Sequence, residues 1–226
     1  MTRSAPTLLP DFELLTASID DIDELFHVFE AAYVNDEVWR PLVRDVKPED
    51  VHPWLMGSLA SRYKFPDIES YKIVEKASGK IAAWTALQYP WEDRPLDPEQ
   101  KAFATSHDLP PLVEGVNVEA LKATMETLTC THEHGYNADI DFHRKGTMVH
   151  PDFQKKGFGS VLTHHCNEIS DKAGKKTYLP ARPTSRKMFE SFGYRVLGKH
   201  DSHVERWGEN PARGITCAMV REVGGV

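Results

Sequence analysis

The sequence predicts an α/β or α+β protein built around one mixed sheet. Three observations carry that expectation. Segments with strand character, such as Tyr71 to Glu75 and Lys80 to Tyr89, alternate along the chain with segments whose apolar residues recur at helical spacing. A tight turn, Ala77-Ser78-Gly79, joins two of the strands as a hairpin. The interleaving then continues to the C-terminus without an internal repeat or a low-complexity tract, which is the pattern of helices packed on a shared sheet.

In chain order, Phe12 to Thr16 reads as a short strand. Ser18 or Asp20 can cap a following helix that runs to about Ala32, with Ile19, Ile22, Leu25, Phe26 and Phe29 along one side. A second helix is expected from Pro48 to Tyr63, because proline in the first turn sacrifices no hydrogen bond. The hairpin comes next. Residues 90–117 hold Pro90, Pro95, Pro98, Pro110 and Pro111 with little periodicity, and read as an insertion or flap too short to own a core. A helix is expected from Val118 to His134 and a strand from Ala138 to Val149. An amphipathic helix should begin near Gly157, with Val161, Leu162, Cys166 and Ile169 on one side. Lys176 to Pro180 is extended, and Thr184 to Phe192 is a helix closed by Gly193, where a left-handed C-cap is cheap. Tyr194 to Gly198 and Ile215 to Arg221 complete the sheet. The 226 residues suit a single domain, 1–226, carrying the flap at 90–117.

Composition narrows the function. Hydrophobic residues make up 40% and charged residues 27%, which excludes a disordered or fibrous chain. The net charge of −7 argues against a nucleic-acid coat or an anionic-lipid binder, so neither nucleic acid nor membrane is an expected partner. The apolar run Ile81 to Leu87 is far below the roughly 20 residues of a membrane span. Residues 1–6 lack the apolar stretch of a signal peptide. Three scattered cysteines, Cys130, Cys166 and Cys217, form no disulfide framework, and a reducing, cytoplasmic setting is the expectation. The charge is uneven: residues 1–70 hold 14 acidic and 6 basic side chains, whereas 143–199 hold 12 basic and 4 acidic.

The basic stretch contains the informative motif, Met148-Val149-His150-Pro151-Asp152-Phe153-Gln154-Lys155-Lys156-Gly157-Phe158-Gly159-Ser160. A strand ends, a loop follows and a helix begins. Gly157 and Gly159 let backbone N–H groups converge, the helix N-terminus adds the positive end of its dipole, and Lys155 and Lys156 add charge. Those features make a pyrophosphate cradle. The segment is neither GxxxxGK[ST] nor GxGxxG, so it is not a Walker loop or a dinucleotide fingerprint.

The pattern Val-His-Pro-x-x-Gln-x-x-Gly-x-Gly between a strand and an amphipathic helix resembles the cofactor motif of the GCN5-related N-acetyltransferases (GNAT superfamily). Downstream, Phe189-Glu190-Ser191-Phe192-Gly193-Tyr194 resembles that family's aromatic-x-x-x-Gly-aromatic ending. The resemblance implies the GNAT fold, a mixed and mostly antiparallel sheet flanked by helices. It implies an acyltransferase with acetyl-CoA as co-substrate. Gln154, Lys155, Lys156, Gly157, Phe158, Gly159 and Ser160 would hold the pyrophosphate. The main chain of Met148 and Val149 would pair with the pantetheine arm and polarise the thioester carbonyl.

The resemblance also locates the proton chemistry. The position of the family's basic carboxylate is occupied by His143, whose imidazole titrates near neutrality, and Asp141 two residues earlier is the other candidate. The family's usual acid is a tyrosine, and this chain has Phe189 there, which has no proton to give. Arg182 stands where relatives often place an asparagine that contacts the cofactor. The acceptor expected is a small-molecule amine, covered by the flap with Trp91 in reach, and the state a monomer or homodimer. A protein or peptide amine is the alternative acceptor. A non-catalytic acyl-CoA-binding module is the alternative of another class. Cys130 and His134 share a helical face, but no further ligand stands near them, and no metal is expected.

Overall fold

The computed structural model describes residues 5–106 and 108–225. Seven strands form one sheet in the order β1-β2-β3-β4-β5-β7-β6, where β1 is Phe12–Thr16, β2 Ile68–Glu75, β3 Ile81–Gln88, β4 Phe142–Val149, β5 Thr177–Ala181, β6 Arg195–Asp201 and β7 Ile215–Arg221. Every neighbouring pair is antiparallel except β4 with β5. The helices are α1 Ile22–Tyr33, α2 Arg40–Val43, α3 Pro48–Ser58, α4 Pro98–Thr105, α5 Val118–Thr129, α6 Phe158–Ala173, α7 Pro183–Glu190 and α8 Pro211–Gly214.

All eight residues of β3, Ile-Ala-Ala-Trp-Thr-Ala-Leu-Gln, are buried. A strand covered on both faces has no polar side to alternate with, which is why this run reads as continuously apolar. Trp84 and Ala86 join Leu25, Phe26, Trp54, Leu55, Ala120 and Leu121 in a core under α1, α3 and α5. Ala83 and Leu87 point the other way, to Phe158, Leu162 and Cys166 of α6. A third cluster places Phe189 of α7 on Leu179, Cys217 and Met219. Helices therefore cover both faces, with α1, α3 and α5 on one and α6 and α7 on the other.

The feature that prepares a site lies in β4. Thr85 pairs with Thr147 and Leu87 with Arg144, so three steps of β4 oppose two of β3, with Gly146 at φ 124° inside the bulge. A bulge bends its strand. Beyond it β4 leaves β5: the two pair only at Phe142 with Thr177 and His143 with Tyr178, although β4 continues to Val149 and β5 to Ala181. The sheet is split by a wedge-shaped gap.

Several boundaries differ from the sequence expectation. The helix expected to reach Tyr63 ends at Ser58 and continues as a tighter turn, Ala60–Lys64. The helix expected to reach His134 stops at Thr129, and β4 begins at Phe142 rather than Ala138. The flap holds a helix, α4. Asp97 and Gln100 cap it reciprocally and Pro98 occupies its first turn, a signal concealed by the surrounding prolines.

The flap is tied down through Asp67, which is fully buried. Arg62 donates to it twice, at 2.7 and 2.6 Å, Gln88 Nε2 donates at 3.0 Å and Trp91 Nε1 at 2.9 Å. Trp91 is thus an anchor for the flap, with its indole N–H committed to Asp67. Removing the cationic partner of a buried carboxylate typically costs about 3–5 kcal/mol. Arg62→Met should therefore lower unfolding free energy by about that amount in urea titrations. A loss below about 1 kcal/mol, the ordinary value of an exposed pair, would show that Asp67 does not depend on it.

Candidate active site

The glycine-containing motif after β4 folds into a tight turn and a helix start. His150 N–H donates to Ala82 O at 2.9 Å, ending the ladder, and His150 Nδ1 receives the Asp152 N–H at 3.3 Å to start a tight turn over Pro151–Phe153. Lys155 then takes φ 63° and Gly157 φ 83°, two left-handed residues with one residue between them. Gly157 is the N-cap of α6 and, having no side chain, offers no cap to it. The N–H groups of Phe158 and Gly159 stand in the first turn, where no intrahelical acceptor exists. They open on a concavity of about 210 Å³ lined by Val149, Gln154, Lys155, Gly157, Phe158, Gly159, Ser160 and Met188. A Cβ added at Gly157 would point into open space, and at Gly159 it would meet Met188 Sδ at 3.3 Å. The cradle has room for an anion and converging donors to hold it.

The side chains of this loop divide in role. Phe158 is buried against Phe12, with ring centroids 4.7 Å apart, and contributes only its backbone outward. Lys156 lies over the rings of Phe12 and Phe153, and Lys155 is exposed. Gln154 Nε2 donates to Val149 O at 3.3 Å.

Register decides which main-chain groups face the gap. The His150 bond to Ala82 makes that pair, and by alternation Trp84 with Met148, the hydrogen-bonded ones. Met148 therefore spends its N–H and C=O on β3, and its side chain is buried in the α1-side core. Val149 and Thr147 turn theirs toward the gap. The expectation for Val149 fits this geometry, whereas Met148 is replaced by Thr147, a substitution that depends on a register invisible in the sequence.

The expected bases are enclosed. His143 is 1% exposed; its Nε2 meets Thr131 Oγ1 at 2.9 Å, its ring packs on Tyr136, and Nδ1 has no partner. Burial first, then the charges of Lys145 and His132, hold its pKa well below the ordinary 6.5. It is a neutral histidine where β4 still pairs with β5, outside the open part of the gap, which argues against its reading as base. Asp141 precedes β4 rather than lying on it. Its carboxylate accepts the Asn137 N–H at 3.0 Å, closing a turn, and burial raises its pKa. Arg182 is also occupied, by Asp36, Thr216 and the Arg213 carbonyl.

Two consecutive residues beside the bulge were missed by the sequence reading. Arg144 and Lys145 project to opposite faces of β4, Arg144 toward α6 and α7 and Lys145 toward α1 and α5. Lys145 is partly exposed. The surrounding protein, and secondarily the Arg62 guanidinium, pull its pKa down to about 7 against the opposing pull of Asp67. No motif marks these residues; only the split of the sheet gives them a common gap to border.

Residues 135–206, which include β4, the phosphate loop, α6, β5 and α7, match the family model for an acetyltransferase (GNAT) domain. The chain carries a GNAT acetyltransferase domain. It is an acyltransferase domain, with acetyl-CoA as co-substrate. No curated protein sequence matches the chain. Among solved structures, arylalkylamine N-acetyltransferase 2 from Aedes aegypti is 18% identical with a TM-score of 0.64, over 94% of this chain and 99% of that one. The C-terminal condensation domain of Ebony, solved with β-alanyl-dopamine, is 10% identical with a TM-score of 0.65 over the same shares. The ribosomal-protein-S18-alanine N-acetyltransferase from Escherichia coli is 13% identical with a TM-score of 0.55, over 94% of each chain. At these identities the likeness is one of fold, and within it the GNAT sheet is the mostly antiparallel one described above.

The enclosure of His143 has a measurable consequence for stability. Between pH 6.5 and its depressed folded value, the unfolded chain binds a proton that the folded chain does not. Its contribution is complete above pH 6.5 and falls as the pH drops, by up to about 1.4 kcal/mol per unit. Urea midpoints measured from about pH 7 to about pH 5 should decline less steeply in His143→Gln than in the parent chain. Equal slopes would mean that the imidazole is hydrated in the folded state.

Proposed function

We infer that this chain transfers an acetyl group from acetyl-CoA to the amine of a small molecule. The observation that carries the reading is the junction of an anion cradle with a split sheet: the strand that leaves its neighbour runs directly into the loop of left-handed residues. A ligand with phosphates at one end and an amide-bearing arm at the other matches that junction. The loop from Lys155 to Ser160 holds the pyrophosphate, chiefly through backbone N–H groups. The main chain of Thr147 and Val149 pairs with the arm as a missing strand would. The thioester then lies in the gap beside Gly146, open to both faces.

The acceptor approaches from the α1 and α5 face, where Tyr63 and Tyr136 are partly exposed and Tyr63 Oη donates to Lys145 O at 3.1 Å. Attack of the amine on the thioester carbon forms the C–N bond and releases the thiolate, and the amine's proton must leave. Lys145 is the group on that face able to take it, since a lysine near pH 7 is neutral in a useful fraction of molecules. Aromatic walls favour an acceptor with an apolar or aromatic body. The amine substrates named for the Aedes aegypti enzyme and the amine-derived ligand of the Ebony domain support a small-molecule acceptor. The Escherichia coli enzyme, named for a protein N-terminus on the same fold, defines the competing one.

Release of free CoA, followed with a thiol reagent across amines and basic peptides, tests the reading. Turnover on arylalkyl or alkyl amines at least about tenfold above that on peptides is expected, equivalent to about 1.4 kcal/mol in the barrier. Tight acetyl-CoA binding without turnover on any acceptor would instead mark a binding module. Gly157→Asp and Gly159→Asp should each weaken CoA binding by more than about 100-fold, through like-charge repulsion in the cradle. Undiminished affinity in calorimetry would remove the phosphates from this loop. For Lys145, kcat in the parent chain should rise with pH through about 7 as the ammonium loses its proton. Lys145→Met should lose that limb and about 100-fold in kcat, and an unchanged profile would assign the proton elsewhere.

A further inference from the structure

On the other side of β4, Arg144 is buried, 1% exposed, and has no carboxylate among its hydrogen-bond or ion-pair partners within the described residues. Its Nη2 donates to Thr85 Oγ1 at 2.8 Å and to Thr147 Oγ1, while Nε and Nη1 have no partner. The guanidinium carbon sits 5.7 Å from the Phe189 ring centroid. The groups around it are neutral or weakly charged: His165 and Cys166 of α6, whose pKa values are both shifted by burial, and Tyr194, whose hydroxyl donates to Asn167 and also faces the guanidinium as a neutral hydrogen-bonding group. Glu69, whose field reaches His165, is itself paired with Arg94 and accepts from Tyr71 and Tyr89. A buried cation without a counter-charge costs several kcal/mol, and two buried donors without acceptors add to it. A fold retains such a group where an anion arrives to meet it.

The anion can be identified from position. Val149, beside the phosphate loop, and Arg144 are five residues apart on an extended strand, about 16 Å. An extended pantetheine arm has to bridge that order of distance between its phosphate and its sulfur. We propose that Arg144 is a catalytic residue that receives the CoA thiolate as the thioester breaks. The inference rests on the acetyl-CoA reading above. The amine nitrogen bonds to the carbonyl carbon, the C–S bond breaks, and its electron pair stays on sulfur as a thiolate facing Nε and Nη1. The amine's proton departs on the opposite face. Phe189, which packs under the guanidinium, supplies no proton, and none is needed: the thiolate leaves as the anion and is protonated by solvent after release. Consecutive residues on opposite faces of one strand thereby separate the developing positive and negative charges.

The test is the ionisation of bound CoA, followed by the ultraviolet absorbance of its thiolate during pH titration of the protein–CoA complex. The thiol in the complex is expected to ionise at least about one pH unit below free CoA, a tenfold gain in thiolate fraction. In Arg144→Met that shift should vanish and kcat fall about 100-fold, with the KM for acetyl-CoA within about threefold. Arg144→Lys should restore part of both. The measurement on the unaltered protein stands even where a variant fails to fold. A bound thiol that ionises like free CoA overturns the proposal while leaving the acetyltransferase reading intact, whereas failure of CoA to bind overturns both. A preference above about tenfold for an acyl-CoA with a terminal carboxylate would give the guanidinium to the acyl group and also overturn it.

Discussion

Two residue pairs, Phe142 with Thr177 and His143 with Tyr178, are all that join β4 to β5, and the arrangement of this protein depends on that brevity. An unbroken ladder would bury the edge groups of Thr147 and Val149 in the sheet and close the space beside Arg144 and Lys145. The bulge at Gly146 enforces the break, because three residues of β4 must span two of β3. What holds the two halves together despite the gap is the helical cover, with α6 spanning one face and α5 the other. Backbone hydrogen bonding is surrendered over a few residues, and side-chain packing on both faces compensates.

Charge is managed differently on the two sides of that gap. On the α1 and α5 side, Asp67 is saturated by Arg62, Gln88 and Trp91, and Arg62 in turn lowers the affinity of Lys145 for its proton. One arginine thus stabilises a buried carboxylate and tunes a neighbouring amine. On the α6 and α7 side the arginine has hydroxyl partners only. The negative net charge of the chain hides both arrangements, since Asp67 and Arg144 lie inside the fold.

The order of strands and helices was legible because each element carries its own local signal. The largely apolar β3, the helical stripes of α1 and α6 and the glycine after α7 are decided by periodicity and turn chemistry that tertiary context reinforces. The turn from β4 into α6 was legible for the same reason: its shape comes from contiguous backbone. The proton chemistry was not. His143 and Lys145 share a face of β4 two residues apart, and nothing in the sequence says that one is sealed beneath Thr131 and Tyr136 while the other retains exposure. The exchange of Met148 for Thr147 likewise rests on register with β3. Helix α4 was obscured by the prolines around it, although Asp97, Pro98 and Gln100 formed a complete start signal.

The start of α6 has no side-chain cap, which bears on stability as well as on binding. Most helices of this length close their first turn with a serine, threonine, aspartate or asparagine, a contact worth about 1 kcal/mol. Here Gly157 leaves that place open, and on the proposed acetyl-CoA reading a phosphate of the co-substrate would fill it. A ligand held only by the folded state deepens its stability with the logarithm of ligand concentration. Since local opening at helix ends admits proteases, the lifetime of the chain would on that reading follow the supply of its co-substrate.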